Sequence, residues 1–420
     1  MGTAKTAMKT EVRRDILGIL KRTLLYAQEK DSIRLQELSN HTLHNASIFQ
    51  DEDSITIAVI IYALAKVTSR GGKIPKSILE LLKDAKENLS RRDLKEYSQN
   101  MSGISREIEA IDSRMKLYIQ KVIDNAEIKK GSRIYEHGIS LARASEMLGV
   151  SQWELMAYVG KTSILDNERH YETDVKEKIR LTRKIFLTKP RGLLVFDSGP
   201  IITLTLNHLM WLLDPLKKQF NGDFVISQKV KQELIDTPLE TRKFKFEALH
   251  TDRYVRKGTI DVSQDDIGGL TGELMSLCNS CFIAQGNPIQ VVHQGEIESL
   301  AIVLEKDSRF VVIDERTTRL LVEDPVALTS ILQSKLHHEV EVDKTKLRKL
   351  SRYLSKIKVI RSVELVTYAY EEGLLDRYLP ERPFQRVTLL DAVLWGLKLN
   401  GCAVTEDEIM EIIAFENHIG

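Results

Sequence analysis

Apolar residues recur at helical spacing through the first 130 residues. Ile16, Ile19, Leu20 and Leu24 share one stripe, and Ile57, Ile60, Ile61 and Leu64 another. These stripes predict an all-α N-terminal region over 1–130. "SRGGKIPKS" interrupts it with a turn, and Pro75 opens the next helix. From 80 to 130, charged and aliphatic residues mix as in a long solvent-facing hairpin or coiled segment. From Gly131, "GSRIYEHGISLARASEMLGVSQWELMAYVGKTS" reads as two short helices joined by "LGVSQ". Ala142, Ala144 and Leu148 would face Trp153, Leu155, Met156 and Val159. Gly149 suits a left-handed turn position and Ser151 an N-cap. The arrangement predicts a helix-turn-helix. A charged helix follows over roughly 165–188 and stops at Pro190 and Gly192.

The period then changes. "GLLVFD" and "DFVIS" are short apolar runs of strand length, as is "RFVVID" further on. Between and after them lie the helical stretches "PIITLTLNHLMWLLDPL" and "QKVKQELID", and a helix from Glu296. Strands alternating with helices predict a parallel sheet with helices on both faces, an α/β three-layer domain. Residues 335–420 return to helical patterning. The expected organisation is therefore 1–130 helical, 131–190 helix-turn-helix with a connecting helix, 191–330 α/β, and 331–420 a helical C-terminal extension.

Composition narrows the function classes. The chain has 420 residues, 42% hydrophobic and 29% charged, as in an ordinary globular protein. No apolar run is long enough to span a bilayer, and the N-terminus lacks the apolar core of a secretory signal. Three cysteines argue against a disulfide framework and for a reducing cytoplasm. A net charge of +1 leaves local basic surfaces open.

The candidate chemistry is acidic. In open α/β sheets, ligands bind at the carboxyl ends of the strands. Asp197 ends the first strand and Asp314 ends "RFVVI". Glu296 and Glu298 lie on the first turn of the preceding helix, and Glu233 on the helix after "DFVIS". Like charges gathered in one place either protonate or recruit a cation. Oxygen donors without His or Cys select a hard ion, Mg²⁺ or Mn²⁺, which can activate water against a phosphodiester. Each acid also has a plainer account. Glu296 and Glu298 complement a helix dipole, a gain of ~1 kcal/mol at most. Asp197 is an N-cap, Glu233 a solvated helix face, and Asp314 a turn opener. Their topological convergence favours the site.

"LLVFDSGPIITL", "DFVISQKVKQELID" and "HQGEIESLAIVLEKDSRFVVIDERTTR", in this order over about 192–325, resemble a PIN domain. The likeness is to the branch whose third motif is Gly-Glu-x-Glu. It implies a Mg²⁺/Mn²⁺-dependent ribonuclease on a small parallel sheet. By position, Asp197 is the first metal-site acid, Glu233 the second, Glu298 the third with Glu296 as neighbour or substitute, and Asp314 the fourth, with Glu315 as its one-residue alternative. Two departures stand out. Gly199 replaces the hydroxyl residue usual two positions after the first Asp, although Ser198 is adjacent. About thirty residues from Asp261 to Gln290 look inserted. "HGISLARASEMLGVSQWELMAYVG" resembles the helix-turn-helix antitoxins that accompany this branch, and "GLLD…TLLDAVLWGLKLNGCAVTEDEIMEI" resembles its C-terminal helices. The likeness implies toxin-like and antitoxin-like parts fused in one chain.

Other signals are weaker. Cys278 and Cys281, with His293 near, lack the further ligands of a zinc site and read as helical cysteines on a packed face. Adjacent His337 and His338 would point different ways. "KTKLRKLSRYLSKIKVIR" (344–361) holds eight Lys/Arg and no acid. It is either a solvated basic face on a packed helix or a phosphate-tracking surface. Lys346, Arg348, Lys349 and Arg352 there, with Ser198 and Arg316 beside the acids, are the candidate nucleic-acid contacts. Residues 242–258 read as a connecting helix. The second helix of the helix-turn-helix would offer Ser151, Gln152 and Glu154 to DNA, but it is poor in Arg and Lys, so protein contact is an equal reading. Two functions are expected. One is a metal-dependent ribonuclease acting on RNA. The other is a non-catalytic nucleic-acid-binding regulator, reaching DNA through the helix-turn-helix with the PIN fold as scaffold. No membrane partner is expected, and a homo-oligomer is compatible with both. A third expectation is self-restraint, the N-terminal half covering the acidic site.

Overall fold

The computed structural model describes residues 8, 10–49, 52–69, 71–110, 127–162, 166, 174–187, 192–336, 338–379 and 385–417. They form two compact units. One comprises Met1–His137 with Glu146–Val150, the other Gly138–Ser145 with Ser151–Gly420. Pro190, His337 and both ends of the expected charged helix lie outside the described residues.

The first unit is helical, with helices Thr10–Glu29, Ser32–Phe49, Glu52–Ser69, Lys76–Ser90 and Leu94–Ala110. Its core is made by the stripes seen in the sequence, Ile16, Ile19 and Leu20 against Ile57, Ile60, Ile61 and Leu64. The stretch expected to face solvent is half core. Ile78, Leu82, Ala85 and Leu89 meet Tyr97, Met101, Ile104 and Ile108 in the same cluster. Its charges occupy only the other face of each amphipathic helix.

The second unit carries a five-stranded, wholly parallel sheet in the order β3–β2–β1–β6–β8. Here β1 is Leu193–Phe196, β2 Asp223–Ile226, β3 Asp261–Val262, β6 Phe310–Val312 and β8 Lys358–Ile360. Most of these strand residues are buried, as continuous apolar runs must be when helices cover both faces. β4 (Phe282–Ala284), β5 (Asn287–Pro288) and β7 (Val340–Val342) form a separate antiparallel sheet, β5–β4–β7.

Three expectations change. Asp261–Val262 is not inserted material, because it is the edge strand of the main sheet. The rest of that stretch forms the helix Gly268–Cys278 and the β4–β5 hairpin. The C-terminal extension is not purely helical, since it supplies β7 and β8. The helical pattern of the basic stretch hid β8, whose Val359 and Ile360 are buried. The single helix expected after β1 breaks at His208, with φ +57°, into Ser198–Leu206 and Leu213–Phe220. Among the described residues no helix is long and apolar enough to cross a membrane.

Candidate acidic site at the sheet edge

Because the strands are parallel, their carboxyl ends and the helix starts that follow lie along one edge. Asp197 leaves β1 with its N–H on Val312 O (3.0 Å) and caps the helix Ser198–Leu206, accepting from Gly199 N at 3.4 Å. Its Oδ1 is buried and has no hydrogen-bond partner. Burial, then the Glu233 charge, push Asp197 up to about 7 against the Ser198 and Gly199 N–H groups, and Glu315 adds to the rise.

Glu233 sits on a π-helical turn, Gln232–Asp236, where Thr237 N–H reaches back five residues to Gln232 O. Pro238 follows. It lacks an N–H, and its ring would crowd the carbonyl four residues earlier, which favours the wider turn. Both Glu233 carboxylate oxygens are buried without a hydrogen bond, and His293 Nδ1 stands 3.1 Å from Oε1, an ion pair when the ring is protonated. The same carboxylate explains the glycine of "HQGEIE". A Cβ on Gly295 would stand 2.9 Å from Glu233 Oε1 and 3.1 Å from Oε2. Gly295→Ala is therefore expected to displace the Glu233 carboxylate at a cost in stability under ~1 kcal/mol, which urea unfolding checks.

Glu296 closes a reciprocal cap at the start of the helix Gln294–Glu305, its Oε2 accepting from His293 N at 2.6 Å and Ser140 Oγ at 2.9 Å. Burial, then the charges of Glu315 and Asp197, hold it well above the ordinary carboxylate range. Glu315 caps the helix Arg316–Glu323 through Thr317 N (2.8 Å) and Thr318 N (2.6 Å). Burial raises Glu315, and those N–H groups and the Arg316 charge offset only part of the rise.

Asp197, Glu233, Glu296 and Glu315 thus share one electrostatic field. The structure does not bring Glu298 and Asp314 into it in the same way. Glu298 accepts from Lys229 N (3.1 Å) and Gln294 Nε2 (2.7 Å), tying its helix to the first turn of the helix Gln228–Lys231, which Ser227 caps. Asp314 is fully buried and engaged by Ser362, whose N–H and hydroxyl each donate at 2.7 Å. Burial raises Asp314, and the Ser362 contacts with Thr203 and Cys402 offset part of the rise. In the one-residue ambiguity, Glu315 is the acid that faces the others, and Asp314 fastens β6 to the helix Ser362–Glu371. Among the described residues, no group of three or more His, Cys, Asp and Glu side chains stands ready to hold a metal ion.

Ser140 and Ser362 were missed in the sequence, and His293 was weighed only beside the cysteines and not with the acids it touches. His293 precedes the acidic motif and Ser362 follows a strand, both helix-start positions. Ser140, 156 positions from Glu296, had no sequence signal.

The basic candidates separate. Ser198 and Arg316 are buried at the acidic edge. Lys346 pairs with Asp343 and Lys349 with Glu273, while Arg348 and Arg352 are exposed. Cys278 ends a helix and Cys281 lies outside it, both buried and free. The helix Gln152–Val159 buries Trp153, Leu155, Met156 and Val159. Trp153 stacks on Phe244 at 5.6 Å, and Glu154 pairs with Lys243 at 2.7 Å. Gly149 has the expected left-handed φ of +65°, whereas Ser151 at the N-cap makes no side-chain cap.

No family model, curated protein or solved structure matches this chain.

Proposed function

We propose that the second unit is a PIN-like, metal-dependent ribonuclease. The observation that carries this reading is a pair of buried carboxylate oxygens without a hydrogen bond, Asp197 Oδ1 and Glu233 Oε2, beside Glu296 and Glu315, with Glu233 Oε1 faced by His293 Nδ1. Buried polar groups are ordinarily hydrogen-bonded, so orphaned oxygens of like charge call for a ligand. The all-oxygen donor set suits Mg²⁺ or Mn²⁺, with Asp197 and Glu233 as holders and Glu296 and Glu315 beside them. Such an ion would neutralise charge on a phosphodiester and lower the pKa of water. An ion held there would keep Asp197 and Glu233 ionised, offsetting the burial and mutual repulsion that raise Asp197 to about 7 in the protein alone. The helix start at Ser198 adds N–H groups at the same edge.

A second reading, a non-catalytic nucleic-acid-binding scaffold, is favoured by the absence of a ready group of three ligands among the described residues. DNA reading through Gln152–Val159 is disfavoured by the burial of four of its eight residues and the pairing of Glu154.

The experiment is cleavage of labelled single-stranded and structured RNA by the full chain with Mn²⁺. Turnover that falls at least 100-fold in Asp197→Asn and in Glu233→Gln supports the nuclease. Equal cutting by the variants, or salt-sensitive binding without any cutting, selects the scaffold.

A further inference from the structure

A cleft of about 450 Å³ borders Glu298 on the strand-end edge of the main sheet. It opens where β2 and β3 end. Ser263 N donates to Ile226 O at 2.9 Å, and Gln228 Nε2 donates to Ser263 O at 3.2 Å. The rest of the lining comes from the helix Gln294–Glu305 and from the start of the helix Gly268–Cys278, whose first residues read "GGLTG". That second helix lies in the stretch from Asp261 to Gln290, outside the motifs that carry the resemblance. Two of its features have no account within the protein. Thr271 is 7% exposed and its hydroxyl has no hydrogen-bond partner, not even the carbonyl one turn earlier that helical threonines commonly take. Gly272 lies inside the helix without a left-handed φ, where alanine is the better helix former, yet a Cβ there would meet nothing within 4 Å. Neither backbone conformation nor packing requires a glycine at 272. Close approach of a ligand to the helix backbone does.

The lining selects the ligand. Among the described residues it holds three carboxylates, Asp265, Asp266 and Glu298, and no Lys, Arg or His, so it repels phosphate. It also suits a simple cation poorly, because two of the three are claimed. Asp265 pairs with Lys306 at 2.6 Å, and Glu298 accepts from Gln294 Nε2 and Lys229 N. Asp266 accepts from Gly268 N at 3.4 Å and has no ion-pair partner among the described residues. Ile267, Met275 and Ile302 make the rest of the lining apolar. A flat, uncharged ring with donors along one edge fits this combination. Among the RNA bases, guanine alone sets two donors side by side, N1–H and N2–H, matching the two oxygens of a carboxylate. Adenine, cytosine and uracil each place an acceptor beside their donor. We propose that the cleft is a base subsite for single-stranded RNA. It takes an unpaired guanine, with Asp266 on the N1–N2 edge, the Thr271 hydroxyl on O6 and the bare backbone at Gly272 against the ring. The subsite deepens the nuclease reading and rests on it for its purpose. Glu298 borders the cleft two positions from Glu296, so a base held there places its strand along the acidic edge.

The test is fluorescence anisotropy of the full chain with labelled oligouridylate carrying one central guanosine, inosine or adenosine, in EDTA so that no strand is cut. Inosine lacks only the N2 amino group. The guanosine strand is expected to bind about tenfold more tightly than the inosine strand, the shift from losing one hydrogen bond to a charged group. Asp266→Asn, at an exposed position, should erase that preference. Gly272→Ala should weaken guanosine binding about tenfold, its methyl standing in the ring's place, while raising the urea midpoint. Equal affinity for the three strands, or unchanged guanosine binding in both variants, would overturn the subsite. Cleavage of the same strands with Mn²⁺ separates the two readings. A guanine preference without cutting keeps the subsite and removes the nuclease, whereas cutting without any base preference keeps the nuclease and removes the subsite.

Discussion

Asp197→Asn is expected to make the metal-free protein more stable at pH 8 while removing the proposed ribonuclease activity. The unfolded aspartate titrates near 3.8 and the folded one near 7. Between those values the folded chain keeps a proton that the unfolded chain has lost. Stability from this group is therefore complete below pH ~4, falls as pH rises towards ~7, and is level above. About three pKa units at roughly 1.4 kcal/mol each give a loss of about 4 kcal/mol, shared with Glu296 and Glu315, whose carboxyls are raised in the same buried cluster. Asparagine has the same shape, caps a helix start as well, and carries no charge to bury. The difference between variant and wild type should vanish near pH 4 and grow to its full size by pH 7–8, measured by urea unfolding across that range. Mn²⁺ should stabilise the wild type and leave the variant unchanged. A variant less stable than the wild type at pH 8 would make Asp197 a structural cap and sink the site.

The opposite sign is expected at Arg361. It was counted with the basic stretch 344–361, yet its side chain is 1% exposed. Its guanidinium donates to Glu364 Oε1, Glu408 Oε1 (2.8 Å) and Ala403 O (2.9 Å), joining the end of β8 to the helices Ser362–Glu371 and Glu406–Asn417. Arg361→Leu leaves two buried carboxylates without their cation, and a loss of about 3–5 kcal/mol follows. Adding Glu364→Gln and Glu408→Gln to Arg361→Leu should recover most of it, because the cost comes from uncompensated charge and not from lost volume. Urea midpoints of the single and triple variants decide the matter. A single variant within ~1 kcal/mol of the wild type would show that water reaches this cluster.

Asp197 and Arg361 also mark how far residue patterns carry. Both are charged residues at the end of a parallel strand, and no local feature says that one is orphaned and the other saturated. The helical stripes of the first unit and the apolar runs of β1, β2 and β6 could be read directly, because residues 3.6 or 2 positions apart share a face whatever surrounds them. β8 could not, since three residues after an amphipathic helix carry too little pattern against it.

Periodicity and strand-end position were thus enough to place Asp197, Glu233, Glu296 and the Asp314–Glu315 pair along one edge of a parallel sheet. The assignment of their lone pairs lay beyond any local pattern. Asp314 is claimed by Ser362, 48 positions later, and Glu296 by Ser140, 156 positions earlier, while Asp197 Oδ1 is claimed by nothing. Hydrogen bonds form between groups that packing brings within about 3 Å, and burial sets what an unclaimed charge costs. Distance along the chain constrains neither, so which acids are fastened and which keep an unpartnered oxygen was settled only when the helices closed over the sheet.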